Sequence, residues 1–240
     1  MKRRVWAPGE RLYRTLVIVG FPLIVWARLE VRGVDELSEP GPILLVSNHD
    51  SAVDPLALGA AGMMVRRPVR FLTRSNLWRY RPLAVLLNGI HQIPIRRGAG
   101  DSAALDAATA ALQAGEVIGL FPEGTISRGQ WLRARRGVSR LARASPDARV
   151  VLAAVSGGTD LVRFPRRPRV IVELFAPRTG QPQAGEDHAA LAARLLAEIR
   201  ERVPPVAAGR RPGGSRLLQR RARRRARGQI ERVSARAPGE

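Results

Sequence analysis

Beyond Gly33 the chain alternates short, nearly unbroken apolar runs with longer segments whose apolar residues recur at helical spacing. The runs 43–47 (ILLVS), 69–73 (VRFLT), 90–95 (IHQIPI), 116–121 (EVIGLF), 149–155 (RVVLAAV) and 169–175 (RVIVELF) predict strands. Several are β-branched and almost continuously apolar, the pattern of strands covered on both faces. The segments 55–65, 79–88, 102–114, 131–144 and 186–203 predict helices. The third is the best marked, with Asp101 or Ser102 as N-cap, an Ala/Leu-rich body and Gly115 just past its end. Such alternation predicts an α/β fold with a mostly parallel central sheet flanked by helices. Residues 176–186 (APRTGQPQAGE) read as a linker before a closing helix.

The two ends depart from this pattern. Thr15 to Ala27 (TLVIVGFPLIVWA) is uncharged and apolar between Arg14 and Arg28. Thirteen helical residues reach about 20 Å, short of a hydrocarbon core of about 30 Å, and Pro22 interrupts them. The segment fits an interfacial anchor better than a spanning helix; a buried core helix and a cleaved secretory signal are the competing readings. From Ala207 to Glu240 there are 11 Arg against 2 Glu and few apolar residues, so this tail is expected to be disordered alone. The organisation read from the chain is therefore a membrane-associating segment at 1–32, a catalytic-sized domain at 33–206 and an Arg-rich tail at 207–240.

Composition narrows the chemistry. With 240 residues and 45% hydrophobic content the chain can bury one substantial core. It has no cysteine, which excludes disulfides, thiolate nucleophiles and thiolate metal sites. Only three histidines are present, so no metal centre is expected. The formal charge of +21 suits anionic lipid or nucleic acid phosphates equally by physics alone. The tail, however, has no aromatic residue on which single-stranded bases could stack. Nucleic acid is thus the more distant expectation, and a non-enzymatic nucleic-acid-binding protein the more distant reading.

Ligands of open α/β sheets bind beyond the carboxyl ends of the strands, and three polar stretches fall there. Ser47-Asn48-His49-Asp50-Ser51-Ala52-Val53-Asp54-Pro55 follows the first long strand. A His with a carboxylate in one short loop suggests a general base and its orienting partner. Positions five apart lie about 140° round one helix and could not meet there, so His49 must precede the helix that Asp54 starts. The plainer reading makes Asp54 a helix cap and His49 a loop residue. Phe121-Pro122-Glu123-Gly124-Thr125-Ile126-Ser127-Arg128 follows another strand, as an oxyanion-binding turn or as a capped turn with a salt-bridged Glu123. Ile93-Pro94-Ile95-Arg96-Arg97-Gly98 ends a third strand with two guanidiniums able to fork onto a phosphate.

In this order, His49-x4-Asp54, the Arg pair and Phe121-Pro122-Glu123-Gly124-Thr125 resemble the glycerolipid acyltransferase family, whose best-known members are the bacterial 1-acylglycerol-3-phosphate acyltransferases. The resemblance runs over about residues 40–175. The family's second block, usually Gly-x-x-Phe-Ile-x-Arg, is closest to His91-Gln92-Ile93-Pro94-Ile95-Arg96-Arg97, with Arg97 at the arginine and His91 at the glycine. After Thr125 the usual Arg-Ser is replaced by Ile126-Ser127, with Arg128 two places on. The fourth block survives as Val151-Leu152-Ala153-Ala154-Val155-Ser156-Gly157 without its proline.

The resemblance implies acyl transfer from acyl-CoA or acyl carrier protein, as co-substrate and with no cofactor, to the free hydroxyl of 1-acylglycerol-3-phosphate, giving phosphatidic acid. It implies His49 as the base and Asp54 as its partner. Arg97, with Arg96, Gly124, Thr125 and Arg128, would hold the acceptor phosphate, and Glu123 would hold the glycerol backbone or brace an arginine. The altered blocks leave a different lysophospholipid or a glycolipid as the alternative acceptor. His91 stays open between a site role and a structural one beside its strand. The expected partners are a lysophospholipid acceptor, the thioester donor and a membrane surface with anionic lipids. Because acyl thioesters are cytosolic, the expected location is the cytoplasmic face of the cell membrane, peripheral or monotopic, which argues against a cleaved signal at 1–27.

Overall fold

A computed structural model describes Thr15 and residues 28–96, 101–128, 130, 132–160, 169–183 and 185–203. The apolar segment 15–27 beyond its first residue, Arg97 and the tail 207–240 lie outside the described residues. Seven strands form one sheet: β1 (Glu30–Arg32), β2 (Ile43–Ser47), β3 (Val69–Arg74), β4 (Ile93–Ile95), β5 (Val117–Leu120), β6 (Arg149–Ser156) and β7 (Ile171–Phe175). Their spatial order is β1-β7-β6-β2-β5-β3-β4. Every neighbouring pair is parallel except β6 with β7. The carboxyl ends of β2 to β6 therefore share one edge.

The central strands β2, β5 and β6 alternate between two buried faces, which explains why these runs show no polar alternate positions. Leu44, Val46, Ile118 and Leu152 point into one core, while Ile43, Leu45, Val117 and Val151 point into the other. The first core is closed by α3 (Ser102–Gln113), α4 (Gly137–Ala144) and α5 (His188–Arg202), through Leu112, Leu141, Leu195 and Ile199. Helix α1 (Asp54–Met64) closes the second with Ala57, Leu58 and Ala61. A fifth helix, α2 (Arg81–Gly89), follows a 3₁₀ turn at Ser75–Arg79 and lies outside both cores. Each fully buried Leu or Ile contributes about 1.5–3 kcal/mol, so the paired cores hold the sheet edge firmly. Among the described residues no helix is long and apolar enough to cross a membrane.

Four local expectations are corrected or sharpened. Asp101, not Ser102, caps α3, accepting from the Ala104 N–H. The helix expected over 131–144 begins only at Gly137, because the Arg135 N–H is drawn to the Pro122 carbonyl at 2.7 Å and holds the preceding residues out of helical register. The strand expected over 90–95 begins at Ile93: His91 turns the chain with φ 55°, and the His91 and Gln92 N–H groups still bond back to Asn88 and Leu87. Finally, the sheet starts inside the segment assigned to 1–32. Glu30–Arg32 pairs with Ile171–Glu173, a strand too short to show an alternation in sequence.

Candidate active site

The loop after β2 is tied to its neighbours before any side chain enters the cleft. Asn48 extends the ladder toward β6, donating Nδ2 to the Val155 carbonyl and accepting the Val155 N–H at Oδ1, each at 2.8 Å. The His49 N–H donates to Glu123 Oε2 at 2.8 Å, and its carbonyl accepts the Ser127 N–H at 2.6 Å. Both main-chain groups of His49 are thus fixed by the turn after β5.

Its side chain turns back to the start of α1. Nδ1 lies 3.2 Å from Asp54 Oδ2, with the two side chains 11% and 1% exposed. His49 precedes the helix and Asp54 opens it, as the spacing requires. The helix cap is Val53, with no side-chain bond, so the plainer reading of Asp54 as a cap does not hold. Its carboxylate instead collects the Ser51 N–H at 2.8 Å, the Ser51 hydroxyl at 2.9 Å and the imidazole. A carboxylate at Nδ1 favours the tautomer with the proton there, which leaves the Nε2 lone pair as a base.

Two features that hold this pair are invisible as motifs. The imidazole stacks on Phe121 at 4.1 Å and 19°, and Phe121 stacks in turn on Phe71 at 5.5 Å. Gly119 makes room for Phe71, since a Cβ there would sit 2.3 Å from its ring. Gly158, after β6, faces the carboxylate: its Cβ would lie 2.5 Å from Ser51 Oγ and 2.8 Å from Asp54 Oδ1. Gly158→Ala is therefore expected to push Ser51 off Asp54, loosen the imidazole and lower kcat by about tenfold. Steady-state rates against wild type, with circular dichroism as the fold control, check this.

The turn after β5 contains the largest surprise. Glu123 is buried and both its oxygens are used: Oε2 by His49, Oε1 by Arg200 of α5. The expected contact between Glu123 and the acceptor is corrected, because its carboxylate is closed off from solvent; the alternative, bracing an arginine, is what is seen. Arg200 also forks onto Asp50, with bonds of 3.0 and 2.8 Å, and Asp50 further accepts from Asn48 and Ser127. Burial opposes ionisation of Asp50, but the bonds from Arg200, Ser127 and Asn48 prevail and hold its carboxyl below the usual range. Burial pushes the Glu123 carboxyl up, and Arg200 only partly offsets it. Neither Arg200 nor Asp50 was assigned a role from sequence. The signal was there: Ala192, Leu196 and Arg200 fall at i, i+4, i+8 on the apolar stripe of α5, where an arginine needs a partner.

An open cleft of about 1260 Å³ lies over His49. Its apolar wall includes Leu72, Ile95, Leu105, Leu120 and Ile126. Its described lining also includes seven arginines and one acid, Asp101. Gly124, Thr125 and Arg128 line it, as does Arg96, so four of the expected binding residues meet there with His49. Gly124 has φ 68°, and a Cβ would meet Arg135 Cδ at 2.5 Å, so the turn requires glycine. Arg96 is exposed, and its N–H bonds to Asp101 at 2.8 Å. His91 is exposed with φ 55°, in the left-handed region where glycine is unstrained; it is not among the side chains that line the cleft, and its carbonyl receives Arg70 at 2.6 Å. Among the described residues no three His, Asp or Glu side chains gather as a metal site requires. An apolar wall, a basic lining and an oriented imidazole suit an acyl chain, an anionic group and a hydroxyl to be deprotonated.

Known proteins resemble this chain in sequence and in fold. The family model described as Acyltransferase matches residues 28–156, just over half of the chain. A lyso-ornithine lipid O-acyltransferase of Pseudomonas aeruginosa is 33% identical over 116 residues, 48% of this chain. The match spans only 42% of that relative's length. The crystal structure of the 1-acyl-sn-glycerophosphate acyltransferase PlsC from Thermotoga maritima shares the fold at TM-score 0.60 and 18% identity, covering 83% of this chain and 79% of that one.

Proposed function

The chain belongs to the Acyltransferase family, and from that premise we propose that it moves a fatty acyl group from acyl-CoA or acyl carrier protein to the free hydroxyl of 1-acylglycerol-3-phosphate, giving phosphatidic acid. The observation that carries this reading is the His49–Asp54 pair beneath a cleft lined by apolar and arginine side chains. His49 Nε2 takes the proton from the acceptor hydroxyl as its oxygen attacks the thioester carbonyl. Asp54 holds the tautomer and stabilises the imidazolium as it forms. The imidazolium then returns the proton to the departing thiolate. The bond broken is C–S and the bond formed C–O, with no group held covalently by the protein.

The arginine lining supplies counter-charge for the acceptor phosphate and for an acidic donor. Arg128, exposed at the cleft, takes the role of the arginine missing after Thr125, and Arg97 is assigned to the same phosphate from its motif position alone. Arg128→Ala is expected to raise the acceptor KM by about tenfold with little change in kcat, the loss of one charge-assisted bond made equally in ground and transition states. Acceptor titrations at saturating donor measure it.

The second reading, acyl transfer to a different lysolipid, is favoured by the relative that acts on lyso-ornithine lipid. A lining with one acid among seven arginines favours a phosphate-bearing acceptor instead. Labelled acyl-CoA offered with a panel of lysolipids in detergent micelles decides between them. Strongest transfer to lysophosphatidic acid supports the first reading, and strongest transfer to lyso-ornithine lipid the second. No transfer from either CoA or carrier-protein donors overturns both. The working site is proposed at the cytoplasmic membrane surface, where acceptor and thioester meet.

A further inference from the structure

Beside the cleft the domain presents apolar side chains to solvent. In α2 only Leu87 is buried, while Val85 is 71% and the preceding Tyr80 67% exposed. Trp78, Leu83 and Leu86 are half-buried. The helix packs chiefly on the 3₁₀ turn before it and is pinned there by the Trp78 indole N–H, which donates to Asn88 Oδ1 at 2.7 Å. An apolar helix held this way has no core to justify its composition.

Its charge points to what covers it. Arg74, Arg79 and Arg81 flank the apolar residues, are exposed and make no ion pair among the described residues. Between Asp54 and Asp101 the chain has eight arginines and no acidic residue. A second copy, in a chain with 41 basic residues against 20 acidic ones, offers this face little net counter-charge. An interfacial Trp and Tyr, aliphatic side chains and unpaired arginines are what a bilayer surface with anionic head groups accommodates. The same turn also lends Arg74, Asn76 and Leu77 to the cleft over His49.

We propose that the Arg74–Gly89 face docks the domain on an anionic bilayer, with Tyr80 and Val85 entering the interfacial layer, so that the acceptor passes from the leaflet into the cleft beside Leu77. The proposal rests on the lipid acceptor inferred above, and it gives the folded domain a membrane contact of its own, in addition to the ones expected from the sequence of 15–27 and 207–240.

Because the chain has no cysteine, Val85→Cys carries one environment-sensitive fluorophore on the full-length protein, with Ala193→Cys on the exposed side of α5 as the control. On phosphatidylglycerol vesicles the Val85 label is expected to shift to the blue and to be quenched by lipid-borne nitroxides, and the Ala193 label to do neither. A Val85 label that stays in water while the protein sediments with vesicles overturns the proposal. So does failure to bind the vesicles, or a shift seen with acyl carrier protein and not with lipid. In a second arm, Tyr80→Ser with Val85→Ser should lower turnover of a long-chain acceptor in those vesicles by about tenfold, with a water-dispersed short-chain acceptor unaffected. Equal loss on both acceptors overturns the docking role. If the wild type transfers to no acceptor but its Val85 label enters lipid, the enzymatic reading fails and the docking stands.

Discussion

His49→Ala is expected to lower kcat for acyl transfer by about 10²–10⁴-fold, the span a positioned general base contributes, with the folded state intact. The fold should survive because the anchoring at this position is main-chain: the bonds to Glu123 and Ser127 use the His49 N–H and carbonyl, which alanine retains. The imidazole itself contributes a stacked contact with Phe121 and one bond to Asp54. Its loss leaves Asp54 with the two Ser51 donors, so the carboxylate does not become an unpaired buried charge. Single-turnover rates with labelled acyl-CoA, beside a thermal melt of each protein, make the test. A mutant that retains more than about a tenth of wild-type kcat would remove His49 from the mechanism. Asp54→Asn provides a companion, since it keeps the shape but loses the charge that stabilises imidazolium; its loss of kcat should be smaller than that of His49→Ala.

The second large effect is structural. Arg200→Met should destabilise the protein by about 3–5 kcal/mol, because Asp50 and Glu123 would be left as buried carboxylates without a cation. At this size that lowers Tm by roughly 10 °C or more. Turnover should fall as well, since Glu123 holds the His49 N–H only while Arg200 holds Glu123. Arg200→Lys cannot restore the forked geometry to Asp50 while also reaching Glu123, so it should recover only part of the loss. The discriminating variant combines Arg200→Met with Asp50→Asn and Glu123→Gln. Removing all three charges should cost less than removing the cation alone. Denaturant unfolding of the four proteins measures this, and a triple variant less stable than Arg200→Met would show that the cluster is not held by its charges.

These effects lie on opposite sides of what could be read along the chain. The strand of 43–47 appears with the bounds expected, and the strands and helices near 69–73, 102–114 and 149–155 move by a residue or two. Each had a strong local cause: an unbroken β-branched run, a capping Asp101, or a Gly115 in the left-handed conformation. Elements shaped by a long-range bond were misjudged. Arg135 bonding Pro122 delays α4, and Glu30–Arg32 is a strand only because β7 lies beside it. Glu123 stayed open between the acceptor and an arginine for the same reason, since its two partners come from a loop 74 residues earlier and a helix 77 residues later.

The sequence by itself offered the pairing of His49 with Asp54 as one of two readings, because a five-residue gap across a helix start permits a histidine and a carboxylate to meet. The motif resemblance favoured it, and the structure set the plain helix cap aside. The sequence did determine the sheet, because an apolar run without polar alternates must be covered on both faces. Only the tertiary structure decided which groups line the cleft and which lie behind it and hold those that do. Glu123 sits in the most specific motif yet is walled off by Arg200, while Gly158, Phe71 and Arg200 lie in no motif of the site and fix its geometry. The reason is the range of the forces involved. Periodicity and capping act within one or two helical turns, whereas a buried charge is satisfied wherever packing brings its counter-ion, at any distance along the chain.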